Sequence, residues 1–423
     1  MGFVEELAWR GLVQQKTDEQ LGALMQKEPF TLYCGFDPTA PSLHVGSLLP
    51  IATLMRAQRA GHRPIAVVGG ATGMVGDPSG KSEERKLLGA DDIERNLVGI
   101  RSQLERFIDF GGSGALLVNN YDWFRGYGYL DFLRDVGKQF SVNMMLGKES
   151  VRARLEDRDQ GISYTEFSYM LIQAYDFLAL HERYGCKLQV GGSDQWGNIT
   201  AGIDLIRRKH QAEAYGLTMP LVMNSAGQKF GKTEKGAVWL DAERTSPYDF
   251  YQFFIQSDDR DVCRYLRFYT FLEENTIAEL EQTVRVSPER REAQRVLARE
   301  VTTLVHGAAE TEKAEGAAQA LFRNDLSALD ASAIEQVFKE APSSAELLSG
   351  LDGQGVAVVD LLVRSKLCAS KGAARRDLEG GGIYVNDRRV EAAGQSLTRS
   401  DLLAGKYVVL RKGKKTHHLV RFE

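Results

Sequence analysis

Tyr169, Gln173 and Asp176 stand four and three residues apart in a segment, 163–180, that carries the pattern of an amphipathic helix. At about 100° per residue the three fall on one narrow face. Phe167, Met170, Leu171, Ala174 and Leu178 gather on the opposite face. Ser163 and Glu166 form a capping box, which marks the helix start. A second apolar flank, Ile172, Tyr175 and Phe177, predicts that the helix is largely buried. A buried carboxylate and amide need hydrogen-bond partners, and a polar ligand lying along the stripe would supply them. On a solvated face the same residues would have no task.

Four further segments combine small and polar residues where an apolar run ends. Tyr33-Cys34-Gly35-Phe36-Asp37-Pro38-Thr39 continues through His44-Val45-Gly46-Ser47, where an apolar helix begins. Small residues at a helix start let a polyanion approach backbone N–H groups, and the helix dipole favours its charge. His44 can donate to a phosphate, although an ordinary capped strand–helix turn would read the same way. The glycine-rich loop from Gly69 to Ser82 carries Asp77 and Lys81. Gly80-Lys81-Ser82 fits the end of a P-loop, but Val75 stands where its first glycine belongs, and no dinucleotide fingerprint is present. This loop is therefore of another kind, and Asp77 points to contact with a cationic group. Gly191-Gly192-Ser193-Asp194-Gln195-Trp196-Gly197-Asn198 is a third strand-end loop. The fourth, Lys229-Phe230-Gly231-Lys232-Thr233-Glu234-Lys235-Gly236, would be a solvated turn on its own. Opposite a phosphate site it could close on a triphosphate.

The elements that must position these loops are legible as a rhythm. Apolar runs at 31–35, 64–69, 116–119 and 188–191 are each followed by a loop and a helical pattern, which predicts an α/β, Rossmann-like parallel sheet wrapped by helices. Ligands of such sheets bind beyond the carboxyl ends of the strands. Residues 240–322 read as helical, with starts at Ser246-Pro247 and Ser287-Pro288, and 323–354, rich in Ala, Ser, Asp and Gly, read as a linker. The remainder reads as a small α+β domain with turns at Gly380-Gly381-Gly382 and Val385-Asn386-Asp387. A length of 423 residues fits two or three domains.

Charge is unevenly spread. The whole chain carries −4, yet residues 355–423 hold 14 Lys and Arg against 7 Asp and Glu, so a basic tail follows an acidic body. Cys34, Cys186, Cys263 and Cys368 have neither zinc-ligand nor redox spacing, which favours a reduced, cytoplasmic setting. The first residues lack the apolar core of a secretory signal, and no apolar run is long enough to cross a bilayer, so no membrane association is expected.

In their order and spacing, and over essentially the whole chain, the five segments resemble the class I aminoacyl-tRNA synthetases. His44-Val45-Gly46-Ser47 stands at the family's HIGH signature and Lys229-Phe230-Gly231-Lys232-Thr233 at its KMSKS signature. Tyr33 to Asp37, Tyr164 to Phe177 and Gly191 to Asn198 resemble the tyrosyl branch, of which Asn119-Asn120-Tyr121-Asp122-Trp123 is typical. The resemblance implies activation of tyrosine by ATP, with Mg2+ accompanying the ATP and no metal-ligand set in the chain, followed by transfer to tRNA(Tyr). It implies that Tyr33 and Asp176 hold the phenol hydroxyl, and that Asp77, Tyr169 and Gln173 surround the ammonium group, with Asn120 and Gln195 on the same substrate. Asp37, Gly191, Gly192 and Asp194 would line the adenosine side of ATP, and Gly46 and Lys232 would bind ATP as well. His44, Thr39, Lys81, Arg85, Lys229 and Lys232 would meet its phosphates. Ser47 replaces the second histidine of the signature and receives no role.

The tail resembles the small RNA-binding domain also found in small-subunit ribosomal protein four, through Leu361-Leu362, Ser370-Lys371-Gly372-Ala373-Ala374-Arg375-Arg376 and Gly382-Ile383-Tyr384-Val385-Asn386. The implied order is a catalytic domain at 1–225, the lysine loop and a helical anticodon-side domain at 226–322, a linker at 323–354 and an RNA-binding domain at 355–423, in a homodimer. Two rivals share part of this pattern. A tryptophanyl enzyme would not require the Tyr33/Asp176 pair, and a non-catalytic RNA-binding scaffold would have no use for His44, Gly46, Lys229 and Lys232.

Overall fold

The structure, a computed structural model, describes residues 1–79, 88–112, 114–148, 151–152, 155, 161–233, 236–323, 325–339, 341–413 and 416–423. It divides into two compact units, Met1–Thr245 with Ser257–Leu297, and Ser246–Gln256 with Ala298–Glu423.

The first unit is organised by a six-stranded sheet: β1 (Gln15–Lys16), β2 (Thr31–Phe36), β3 (Arg63–Val68), β4 (Leu116–Asn119), β5 (Cys186–Gly192) and β6 (Tyr215–Met219). Their spatial order is β1-β6-β5-β2-β3-β4, parallel throughout except for β1 at the edge. Ile65, Ala66, Val67 and Val68 are all buried, as continuous apolar runs are when helices cover both faces. The chain leaves β2 for β3 on one side and later returns to β5 on the other. A doubly wound sheet opens its crevice at such a reversal. The four strands expected from sequence are present within a residue or two. β1 and β6 were not expected: β1 has only two residues, and β6 carries Gly216 at its second position.

Six helices of this unit matter for the site: α1 (Phe3–Trp9), α2 (Val45–Arg59), α3 (Ala90–Phe107), α4 (Tyr164–Tyr184), α5 (Trp196–His210) and α6 (Asp259–Tyr269). The Ser163 hydroxyl accepts the Glu166 N–H at 3.2 Å, and α4 stops at Gly185, whose φ of +64° suits a residue without a side chain. Met170, Ala174, Phe177 and Leu178 of α4 pack into one core cluster with Tyr33, Val67 and Leu205. The apolar side of α4 therefore fixes which way its polar stripe turns. The lysine loop contains a two-residue ladder, β7 (Lys232–Thr233) against β8 (Gly236–Ala237).

In the second unit, β9 (Ser343–Glu346), β11 (Ile383–Val385), β12 (Arg388–Arg389), β14 (Tyr407–Lys412) and β15 (Thr416–Phe422) form a sheet in the order β12-β11-β14-β15-β9. β10 (Val356–Ala357) pairs separately with β13 (Ser396–Leu397). The expected turn at Val385-Asn386-Asp387 joins β11 to β12, with Asn386 and Asp387 at φ +48° and +62°, values that asparagine and aspartate tolerate best. Two expectations need correcting. Residues 323–354 are not a bare linker: they carry the helix Ala331–Val337, capped by Asp330, and β9, which pairs parallel with β15. The polar sequence Ser343-Ser344-Ala345-Glu346 gives no apolar signal and becomes a strand because β15 offers it an edge. Ser246 caps the helix Pro247–Ile255 as expected, but Ser287-Pro288 opens only a 3₁₀ turn, Pro288–Arg290.

Candidate active site

The ends of β2, β3 and β5, the start of α2 and the polar stripe of α4 enclose a cavity of about 530 Å³. Its lining contains Tyr33, Asp37, Thr39, His44, Gly46, Asp77, Asn120, Tyr169, Gln173, Asp176, Gly191, Gly192, Asp194, Gln195 and Lys229. Lys232 lies on β7, with its side chain outside the described residues, and Lys81 and Arg85 lie outside them altogether.

At the deep end Tyr33 and Asp176 are 2% and 3% exposed. The Tyr33 ring leans on Phe177, with centroids 5.3 Å apart, and its hydroxyl has no hydrogen-bond partner among the described residues. Asp176 accepts the Trp123 indole N–H at 2.8 Å on Oδ1 and the Asn120 amide at 3.1 Å on Oδ2. Burial pushes its carboxyl up to about 7; those two hydrogen bonds pull the other way, and Asp37 adds to the rise. Burial, reinforced by Asp176, also holds Tyr33 well above the usual phenol range, so it stays a hydroxyl donor. A carboxylate with an accepting position to spare beside an unsatisfied hydroxyl is a receptor for one more hydroxyl group.

Nearer the mouth the polar groups form two chains. Tyr169 donates to Asp37 Oδ2 at 3.1 Å, Thr72 donates to Asp37 Oδ1 at 2.7 Å, and Asn120 donates to Thr72 at 3.0 Å. Across from them, Gln195 donates to Asp77 Oδ2 at 2.7 Å and accepts from Gln173 at 3.2 Å, while the Ser79 N–H donates to Asp77 Oδ1 at 2.9 Å. Asp37, Asp77, Asp176 and Asp194 all face this space, and burial followed by Asp77 pushes the Asp194 carboxyl up. Four carboxylates in a sheltered cavity attract a cationic group. The glycine-rich loop owes part of its composition to packing: a Cβ on Gly69 would lie 2.2 Å from an Asp37 oxygen.

At the other end, His44 caps α2. Its Nδ1 accepts the Gly46 N–H at 2.9 Å, so the neutral ring carries its proton on Nε2. A Cβ on Gly46 would come within 2.7 Å of the imidazole, which explains the glycine two residues after the histidine. Helix α3 steadies the approach: Asn96 donates to Pro38 O at 2.9 Å, and Gln103 accepts the Leu43 N–H at 2.8 Å. Val45 N donates to Val238 O at 2.9 Å, so the return arm of the lysine loop is tied to the start of α2.

Sequence reasoning gave no role to Thr72 or Trp123. Both act through other side chains, and only their partners Asp37 and Asp176 stood out by position. Asp37, expected on the nucleotide side, also ties Tyr169 to Thr72.

Fold and site together define a class I aminoacyl-tRNA synthetase, and the comparisons agree. The family model described as tRNA synthetases class I (W and Y) matches residues 25–323. Among solved structures, a tryptophanyl-tRNA synthetase of Encephalitozoon cuniculi shares the fold at TM-score 0.53 and 15% identity, over 73% of this chain and 87% of its own. The choice within the class follows from closer relatives. A C-terminally truncated mitochondrial tyrosyl-tRNA synthetase of Aspergillus nidulans is 32% identical, with TM-score 0.68, over 76% of this chain and 94% of its own. A tyrosine–tRNA ligase of Bacillus caldotenax is 54% identical over the full length of both chains. The tyrosine–tRNA ligase SYY-like C-terminal domain matches residues 333–420. The chain belongs to the tyrosine–tRNA ligase family, enzymes that join tyrosine to tRNA with ATP as co-substrate.

Proposed function

We propose that tyrosine lies along the α4 stripe, its hydroxyl between Tyr33 and Asp176 and its ammonium group among Asp77, Tyr169 and Gln173. Asn120 and Gln195 hold those acceptors in place. Adenosine packs against Gly191, Gly192 and Asp194, with Asp37 between the two substrates. The triphosphate meets the first turn of α2 at Gly46, with His44, Thr39, Lys81, Arg85, Lys229 and Lys232 as donors. Mg2+ enters as part of the substrate, bound to phosphate oxygens.

The tyrosine carboxylate forms a bond to the α-phosphorus as the bond to pyrophosphate breaks. The tRNA terminal ribose hydroxyl then takes the tyrosyl carbonyl, and AMP leaves. The carboxylate is already a nucleophile, so the first step needs no base from the protein. Its acceleration comes from alignment and from positive charge where pyrophosphate develops. Selection against phenylalanine comes from leaving the Tyr33 hydroxyl and the spare accepting position of Asp176 unfilled, a rule for which this family is the standard illustration.

The observation that carries the reading is the buried Tyr33 hydroxyl, without a partner among the described residues, in the same cavity lining as the Asp176 carboxylate. Asp176→Ala is expected to remove tyrosine-dependent ATP–pyrophosphate exchange; unchanged exchange contradicts the assignment.

Residues 355–423, part of the second unit, are the proposed tRNA-binding part, supported by their 14 Lys and Arg against 7 Asp and Glu. Removing residues from 330 onward, which takes β9 with the sheet it belongs to, should leave exchange within about twofold and abolish charging of tRNA. Retained charging contradicts the role. A homodimer is proposed from the family resemblance. The exposed apolar side chains Tyr129, Leu130, Val142 and Tyr164 would supply part of its contact, and sedimentation of the intact chain tests it. No helix among the described residues is long and apolar enough to cross a membrane. The four cysteines are free thiols, which supports the reducing cytoplasm as the working compartment.

A further inference from the structure

The arm that carries Lys229 is a hairpin, 222–230. Phe230 N donates to Val222 O at 2.9 Å and Asn224 N to Gln228 O at 2.8 Å. This hairpin is docked on α6 at three points. Asp261, 3% exposed in the first turn of α6, accepts the Ser225 N–H at 2.8 Å. Arg264 bridges Asp261 at 2.7 Å and Met223 O at 2.5 Å. The Phe230 ring, between Lys229 and Gly231, lies 4.3 Å from the Tyr265 centroid and 5.3 Å from that of Tyr269.

The opposite end of α6 is held by the helix that begins at His44. Arg56, buried near the end of α2, donates to Phe268 O at 3.0 Å and Thr270 O at 2.9 Å. Arg10, just past α1, donates to Arg267 O at 3.1 Å, Thr270 O at 3.2 Å and Leu272 O at 2.9 Å. Two guanidinium groups at the carbonyl end of one helix satisfy its terminal acceptors and oppose its dipole. Glu6 lies 2.9 Å from Arg10 and 3.5 Å from Arg56, which limits the cost of burying them.

We propose that α6 is a strut that sets Lys229 against His44, and that Asp261 is the positioning residue that fixes the hairpin to it. The return arm is bound to residues 43–45 directly, so the arm bearing Lys229 is the one that depends on α6. Asp261, Arg264 and Arg56 do not line the cavity, so their effect on the reaction passes through the geometry of the clamp. A misplacement near 1 Å is enough to slow an aligned transfer on the order of 100-fold.

The proposal rests on the reading that Lys229 serves the ATP phosphates, and the experiment separates the two. ATP–pyrophosphate exchange is measured on the full chain and on Lys229→Ala, Asp261→Ala, Asp261→Asn and Arg264→Met, with tyrosine binding measured independently by equilibrium dialysis. Asp261→Ala is expected to lower kcat about tenfold or more with tyrosine Kd within about twofold. Asp261→Asn keeps an oxygen for the Ser225 N–H and should stay within about threefold of the parent. Arg264→Met, at a partly exposed site, should lower kcat in the same direction by less. The strut is refuted if Asp261→Ala keeps its kcat, if it loses tyrosine binding in proportion, or if Asp261→Asn is no better than Asp261→Ala. Should Asp261→Ala not fold, an unchanged kcat in Arg264→Met refutes it. An unchanged kcat in Lys229→Ala would instead remove the reading of the hairpin itself.

Discussion

The two ends of the cavity are built differently. At the proposed amino-acid end Tyr33 stands on a central strand and Asp176 on a buried helix, and the groups that orient Asp176, Trp123 and Asn120, are themselves buried. At the proposed phosphate end Lys229 stands on a hairpin next to Gly227, Gly231 and Gly236, all at positive φ. The first arrangement has little freedom, so it can reject a ligand by leaving buried polar groups unsatisfied. The second has backbone hinges and lysines on long stems, so it can deliver charge to a group that changes shape during reaction. On the proposed reading, selection is stored in the sheet and in α4, and acceleration in a loop whose position is set from outside the cavity.

Substitutions at the two ends should therefore separate binding from rate. The largest effect belongs to Asp176→Ala. Loss of a charged acceptor together with its two orphaned donors is expected to lower kcat/KM for tyrosine by about 100-fold or more. An effect on ATP KM of the same size would blur the division. Lys229→Ala should lower kcat of exchange by about 30-fold while tyrosine KM stays within about twofold, because the lost charge acts on the departing pyrophosphate.

A third test uses the Asp176 carboxyl, raised from 3.8 to about 7 chiefly by burial. On the proposed reading the ionised form is the acceptor for the substrate hydroxyl, so tyrosine affinity should rise about tenfold between pH 6 and pH 8. Asp176→Asn should flatten that profile, which a titration of tyrosine binding across pH would show. Stability runs the other way. A carboxyl whose folded pKa is raised contributes most below about 4, and that contribution is lost as pH climbs through about 7. The smallest effect is expected for Gly46→Ala: its Cβ would press on the His44 ring, displacing the imidazole and lowering kcat about fivefold without moving tyrosine Kd.

The same contrast explains what was legible in the sequence. The α4 stripe could be read because helix periodicity alone brings Tyr169, Gln173 and Asp176 to one face, and a capping box marks where to start counting. The strand ends could be read because buried parallel strands are continuous apolar runs. Thr72 and Trp123 could not, because each acts on a residue distant in the chain: 35 positions separate Thr72 from Asp37, and 53 separate Trp123 from Asp176. β9 was missed for a related reason. Its polar residues become a strand through β15, more than 70 residues away. The docking of the lysine hairpin on α6 was equally hidden, since Asp261 in isolation is an ordinary first-turn acid.

The central claim is that the deep end of the cavity recognises a hydroxyl on an aromatic ring. The most direct test is ATP–pyrophosphate exchange by the purified chain with tyrosine, phenylalanine and tryptophan in parallel. The structure predicts exchange with tyrosine and background with the other two. Exchange supported equally by phenylalanine, or by tryptophan in place of tyrosine, would contradict it.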